Sequence, residues 1–330
     1  MTTTEPESII EQMYDPGLDG PVLVLAGGLS AEREVSLRSA ECVAAALVDA
    51  GRGVEILDAA PDVMGQLVGQ SPPVVWPTLH GASGEDGSLA EVLRLLGVRV
   101  VGTGPDGCRL SWDKSVASVL AAGAGVQVPP AVTVSAELFR DLGAHRLVEA
   151  LVDRLGLPVA VKPKRGGSGF GVHVVDDPGS VTDAVVSALG HDSACRVERA
   201  VRGREITVTV VELGEGARAC PPVEVRPVSG EYDFSARYTA GAIEFHVPAL
   251  VEPIVADRLR SEAVTVHRRL GLGALSRSDW ILDDSGAPWF IEVNTSPGMT
   301  ATSTAPMGLA QLGPLTSVLS ALVSRARPLS

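Results

Sequence analysis

The chain has 330 residues, 45% hydrophobic and 20% charged, which is enough apolar material for two or three compact domains and too much for a disordered chain. A formal net charge of −13 sets its surface against nucleic acid and anionic membrane and favours a small-molecule partner. The acidic opening "MTTTEPESIIEQMYDPGLDG" has no basic or apolar leader, and no apolar run approaches the roughly 18 residues that span a bilayer, so a cytoplasmic protein with a flexible tail over residues 1–19 is expected.

The first element, "PVLVLAGGLSAEREVSLRSAECVAAALVDAG", reads as an apolar strand, a glycine turn and an amphipathic helix, with Ser30 or Ser36 available as caps and Gly51 as the stop. The strands "GVEILDA", "PVVWPTLHG" and "VRVVGTG" follow, with the helix "GSLAEVLRLLG" between the last two. Alternating β and α elements predict a parallel, Rossmann-like sheet over residues 20–105, within an N-terminal substrate domain 20–111. The helix "SWDKSVASVLAAGAG" and the proline-rich "VQVPPAVTV" change the pattern, so a boundary is placed near Trp112. A small α+β unit over 112–194 contains the strand pair "PVAVKPKRGGSGFGVHVV". From Cys195 to residue 330, strands, the helix "VEPIVADRLRSEAVTVHRRLG" and a final hairpin form a second α+β unit.

Cys42, Cys108, Cys195 and Cys220 show no Cys-x-x-Cys or Cys/His spacing, so reduced structural thiols are expected rather than a disulfide framework or a zinc site. Only three lysines stand against 24 arginines, which makes each lysine informative. Lys114 and Lys162 fall in stretches suited to phosphate contact, and Lys164 is read as a bystander.

The hairpin "SDWILDDSGAPWFIEVNTSPG" carries acids where a plain hairpin would be neutral. With the turn centred on Ser285-Gly286, Asp279 opposes Glu292 and Arg277 opposes Asn294, and the two-residue period puts each pair of polar neighbours on one face. Opposed carboxylates repel unless a cation lies between them. A divalent ion held by carboxylate and amide oxygens answers the pattern, with magnesium and a nucleotide the usual occupants. The plain alternative is a solvated strand face.

"VKPKRGGSGFGV" is a glycine-rich loop between strands, whose backbone N–H groups at Gly166, Gly167 and Ser168 suit phosphate oxygens, with Lys162 as a point charge. It is neither a Walker A loop nor a dinucleotide fingerprint, and such loops are often only turns. Glu198 and Glu205, seven apart around a basic turn, read by themselves as surface charge. Glu32 lies after the first strand, at the sheet edge that ligands favour, where an acid stabilising a helix N-terminus is an equal alternative. His80 and Tyr238 are uncommitted by chemistry alone.

The order of "GGLSAEREVS", "LHGASGEDGSLAEVLRLLGVRVVGTG", "DK", "VKPKRGGSGFGV", "GREITV", "YDFSARYTAG", "RSDW" and "IEVNTSPGMT" resembles the D-alanine-D-alanine ligases of the ATP-grasp superfamily, collinearly over roughly residues 20–315. The resemblance implies a Rossmann-like domain followed by a two-subdomain ATP-grasp fold. It also implies cytoplasmic, ATP-dependent joining of two D-alanines through a D-alanyl phosphate for peptidoglycan, and a homodimer with no nucleic acid or membrane partner. By motif matching, Asp279, Glu292 and Asn294 would hold two Mg2+ ions, with Mn2+ as a substitute. Arg277 would stabilise the transferring phosphate and the oxyanion, Lys114 and Lys162 the phosphates, and Glu198 and Glu205 would lie near adenine and ribose. Glu32 would receive the first ammonium with His80 nearby, and Ser168 and Tyr238 would bond to Glu32 and close the loop. Gly298, Ser303 and Arg237 would position the second D-alanine.

Four positions depart from the family pattern. Arg237 stands where lysine is common, which keeps the charge. Thr304 stands where leucine is common beside the acceptor, which changes the size and polarity of that pocket and raises the alternative of another D-amino acid or a specialised acceptor. Gly169-Phe170 replaces smaller residues near the first subsite. Tyr238 favours a dipeptide over a depsipeptide product.

Overall fold

The computed structural model describes residues 20–70, 74–214, 216–228 and 243–329. Strand β1 (Val22–Ala26) is buried along its length because it lies inside a sheet, parallel to both β2 (Val54–Asp58) and β3 (Val74–Pro77). Helix α1 (Arg33–Asp49) follows β1, and α2 (Val63–Gln70) precedes β3. Beyond β3 come α3 (Ala82–Glu85), α4 (Ser88–Leu95) and β4 (Arg99–Val100), which is parallel to β3. The expected serine caps are not used. Glu32 is the N-cap of α1 without a side-chain cap bond. Ser36 Oγ instead accepts from Gly27 N–H at 2.9 Å and Ser30 Oγ from Glu32 N–H at 3.3 Å, so both hydroxyls hold the turn that carries Glu32.

Helices α5 (Pro105–Trp112) and α6 (Lys114–Gly123) meet at Asp113, whose carboxylate caps α6 through Ser115 and Val116 N–H. A four-stranded antiparallel sheet follows in the order β5 (Ala131–Ser135), β8 (Ala194–Arg199), β6 (Val159–Pro163), β7 (His173–Val175). Helices α7 (Ala136–Asp141), α8 (Ala144–Leu155) and α9 (Val181–Leu189) connect its strands, and Val148, Leu151, Val181 and Val185 of α8 and α9 share a core with Val159 and Val161.

The third sheet runs β12 (Ile243–His246), β11 (Val223–Pro227), β9 (Arg204–Glu212), β13 (Leu275–Leu282), β14 (Pro288–Asn294), with β10 (Ala217–Ala219) on β9. Helix α10 (Pro253–Arg269) and Ala117 and Ala121 of α6 cover it, around Trp280 and Phe290, whose rings meet edge to face at 5.4 Å. After the hairpin come α11 (Thr304–Leu309), α12 (Leu315–Ser324) and β15 (Arg327–Pro328).

Two placements differ from the sequence reading. A boundary at Ala194 would cut off β8, which pairs with both β5 and β6 and belongs to the four-stranded sheet. The last segment leaves the C-terminal unit: β15 adds antiparallel to β4, and Val318, Leu319 and Leu322 share a core with Val22, Val24, Val43 and Leu47. Sheet membership depends on which edge a strand pairs with, and chain order does not carry that information. All four cysteines are free, Cys42 exposed and the other three buried. Among the described residues no helix is long and apolar enough to cross a membrane.

Candidate active site

The β13–β14 register pairs Arg277 with Asn294 and Asp279 with Glu292, the juxtaposition that the two-residue period and turn position predict. Beyond Asp279 the register slips by one residue, so that Trp280 faces Phe290 and Leu282 faces Pro288. The irregularity lets Phe290 and Val293 both point into the core while Glu292 and Asn294 stay half-buried on the other face.

The opposed acids are neutralised by side chains. Arg277 grips Asp279 with two bonds, Nε to Oδ1 at 2.7 Å and Nη2 to Oδ2 at 2.9 Å, the fork geometry that a guanidinium matches to a carboxylate. Lys114 Nζ lies 3.3 Å from Glu292 Oε2 and donates to the carbonyl of Gly166. Lys114 thus ties the glycine-rich loop of the four-stranded sheet to the hairpin of the third sheet, and the candidate cleft is the space between those two sheets.

The base of the loop is clasped. Lys114 N–H donates to Lys164 O at 3.0 Å, Lys164 Nζ meets Asp113 Oδ2 at 2.8 Å, and Arg165 Nη2 meets Asp192 Oδ1 at 2.8 Å. Lys164, expected to be a bystander, is part of this clasp. Ser168 sits at the tip of the loop at φ 53, a left-handed conformation that costs a non-glycine residue energy and needs a compensating contact. It has one: Ser168 Oγ donates to Glu32 Oε1, and a Cβ added at Gly167 would lie 3.5 Å from the same carboxylate.

Lys162 and Glu198 are both buried, with Nζ and Oε1 2.7 Å apart, and Arg196 Nε meets the other oxygen of Glu198 at 2.7 Å. Removing one member of such a buried group leaves an uncompensated charge, at a cost of about 3–5 kcal/mol. Glu205 lies on β9 opposite Ile281, half-buried, on the sheet that also carries Arg277 and Asp279. Strand β8 supplies Glu198 and β9 supplies Glu205, so the two acids come from the two sheets that bound the cleft.

At the N-terminal side, His80 is buried, with Nε2 3.5 Å from Ser39 Oγ. Desolvation lowers its pKa to about 4, outweighing a backbone bond to Ser296, so the ring is neutral at physiological pH. Ser39 Oγ also accepts from Met299 N–H at 3.0 Å, which binds the segment after β14 to α1. Gly298 and Ser303 adjoin one another: a Cβ at Gly298 would lie 2.9 Å from Ser303 Oγ, which also accepts from Thr300 N–H at 3.2 Å. Thr304 is buried as the first residue of α11, and Phe170 is 36% exposed. Arg237 and Tyr238 lie outside the described residues.

A residue that the sequence reading left unassigned stands among these groups. Glu85 ends α3, is 7% exposed, and accepts from Gly81 N–H at 2.9 Å. Burial first, then the charge of Glu32, raises its pKa to about 8 against the opposing pull of Lys114 and Arg277. The available sequence signal was its position in "GASGEDG", one residue beyond the place where a capping-box acid reaches back to the N-cap N–H.

Two carboxylates and the Asn294 amide oxygen are hard donors suited to a divalent cation of the magnesium type. Among the described residues no three His, Cys, Asp or Glu side chains form a ready metal cage, so such an ion would complete its shell with phosphate oxygens and water, as magnesium does.

Comparison with known proteins gives a single answer. Residues 120–324 match the family model described as D-ala D-ala ligase C-terminus. The D-alanine–D-alanine ligase of Bordetella petrii is 34% identical over 93% of this chain and 92% of its own length, and that of Geobacter sulfurreducens is 36% identical over 86% of each. Among solved structures, the VanG D-Ala:D-Ser ligase from Enterococcus faecalis superposes with a TM-score of 0.77 at 27% identity, covering 92% of this chain and 98% of that one. D-alanyl-alanine synthetase A from Vibrio cholerae gives a TM-score of 0.82 over 94% of this chain and 98% of its own, and at 23% identity is a likeness of fold.

Proposed function

The chain belongs to the D-alanine–D-alanine ligase family, and from that premise we propose that it joins two D-alanines into D-alanyl-D-alanine at the expense of ATP, for peptidoglycan precursor synthesis in the cytoplasm. The first D-alanine carboxylate takes the γ-phosphoryl group, releasing ADP and forming an acyl phosphate. The amino group of the second D-alanine attacks that carbonyl, and phosphate leaves as the C–N bond forms. The protein acts on small molecules, as a homodimer, with no nucleic acid or membrane partner.

The observation that carries this reading is the contact of Ser168 with Glu32, which brings the glycine-rich loop down onto the N-terminal domain. A closed loop excludes water, which would otherwise hydrolyse an acyl phosphate. Glu32 receives the ammonium of the first substrate, next to neutral His80. Arg277, Lys114 and Lys162 supply the positive charge that phosphoryl transfer between anions needs, and Gly166, Gly167 and Ser168 offer backbone N–H groups. Glu198 and Glu205 face the base and ribose. Asp279, Glu292 and Asn294 would hold two Mg2+ ions, or Mn2+, which supply neutralisation of the phosphate oxygens. Gly298, Ser303 and Arg237 position the acceptor, and Tyr238 joins Ser168 in closing the loop.

A second reading concerns the acceptor alone. Thr304, buried and next in sequence to Ser303, which adjoins Gly298, carries a hydroxyl, and D-serine offers a matching group. The test is phosphate release with ATP and Mg2+ over D-alanine, D-serine, D-lactate and L-alanine, with products identified by mass. D-alanyl-D-alanine as the main product is expected. Release with D-alanine present only when D-serine or another acceptor is added would favour the second reading, and no release with any of them would refute both.

A further inference from the structure

The Gly81 turn is built around a carboxyl group. Gly81 is the N-cap of α3 at φ 72, and its carbonyl accepts from Gly84 N–H at 3.1 Å and from Glu85 N–H at 3.0 Å. The chain therefore folds back so tightly that the Glu85 side chain reaches the Gly81 N–H at 2.9 Å. A Cβ at Gly81 would lie 3.1 Å from Glu32 Oε2 and 3.4 Å from Ser30 Cβ, so this turn is the wall against which the Glu32 carboxylate rests. His80, the residue before it, has its ring fixed in the same wall.

We propose that Glu85 is a positioning residue for the first substrate's ammonium pocket: through its bond from Gly81 N–H it holds the Gly81 turn and so sets His80 and Glu32 without touching substrate. The inference rests on the functional reading above and deepens it. The charged groups that face Glu85 are Glu32, Lys114 and Arg277, and each already has another partner: Ser168 for Glu32, Glu292 for Lys114, Asp279 for Arg277; the buried Cys108 thiol of α5 also lies in its field and, pushed up to about 12 by burial, stays neutral. An ionised Glu85 would repel Glu32 and compete for both cations. As an uncharged acceptor it leaves them aimed at the cleft, and its burial keeps it protonated up to about pH 8.

The test compares wild type, Glu85→Gln and Glu85→Ala across pH 6–9.5, by kcat/KM for D-alanine and by melting temperature. Glu85→Ala leaves the Gly81 N–H without its partner and is expected to lower kcat/KM at pH 7 by tenfold or more, mainly through KM. Glu85→Gln, which keeps a neutral acceptor of the same length, is expected to restore most of that loss and to abolish the alkaline decline that wild type shows near pH 8. The melting readout needs no activity. Because the carboxyl keeps its proton up to about pH 8 when folded but loses it near 4.5 when unfolded, wild type loses stability between those values and Glu85→Gln does not, so the gap between them widens from pH 6 to about 8 and is level above that. A constant gap, or Glu85→Gln as impaired as Glu85→Ala, overturns the proposal. A wild type that releases no phosphate with D-alanine overturns the functional reading instead, while the melting gap still decides the state of Glu85.

Discussion

Replacement of Ser168 by alanine isolates the contact that closes the loop. The backbone there is already left-handed at φ 53, and alanine bears the same steric cost as serine, so the change removes a hydroxyl and little else. The lost bond is one from a hydroxyl to the Glu32 carboxylate, a type worth about 1.5–3 kcal/mol when buried. Both residues are only half-buried, and about 1–2 kcal/mol is the fair expectation after solvent screening. At 1.36 kcal/mol per decade, kcat/KM for D-alanine should fall about 5- to 30-fold. A looser loop also admits water, so phosphate release and dipeptide formation, one to one in the wild type, should separate with phosphate in excess. Steady-state kinetics with parallel phosphate and dipeptide assays measure both. A kcat/KM within twofold of wild type with stoichiometry intact would show that the Ser168–Glu32 contact does not hold the closed state.

Asp279→Asn keeps the shape of the hairpin but removes the charge that Arg277 grips, and kcat should fall at least a hundredfold, about 2.7 kcal/mol, with an unchanged circular dichroism spectrum. Turnover near wild type would remove Asp279 from the metal and phosphate site. Away from the cleft, Glu224 is buried, which by itself would raise its pKa, but bonds from Arg204 and Arg226 win and bring it down to about 2. The sign follows from the unfolded value near 4.5: the stabilisation is complete above about pH 4.5 and is lost as pH falls towards 2. The melting temperature of Glu224→Gln should thus lie below wild type at pH 7 and converge with it near pH 2.5. Parallel curves would mean that Glu224 binds its proton equally well folded and unfolded, and that the two arginines do not lower its pKa.

The sequence was most legible where a periodic rule acts over a short distance. A two-residue period and a turn at Ser285-Gly286 suffice to oppose Asp279 with Glu292, and the structure has that pairing. The same rule fails at the next residue and from there to the turn, because the irregularity between Asp279 and Trp280 shifts the register by one and nothing in the residue types marks it. Pairings decided at long range were not legible. Strand β8 joins the sheet of β5 and β6, and β15 returns to β4 from the far end of the chain. Glu85 was missed for a related reason. A glutamate in a polar, glycine-rich segment reads as surface, and its burial arises only when α3 packs against α4 and α5.

The hairpin acids looked at first as if they required a cation between them, yet Asp279 and Glu292 are each matched by a protein cation, Arg277 and Lys114. Lys162 and Arg196 do the same for Glu198. On the proposed function the positive members of these pairs would meet the phosphates, and binding would exchange one set of anions for another instead of burying new charge unpaired. Such an arrangement works only if no further anion competes for the same cations. Glu85 lies within the field of both Lys114 and Arg277 and beside Glu32, and as a carboxylate it would be that competitor. Its burial, which holds it neutral, and the pairing of the hairpin acids are two parts of one electrostatic requirement.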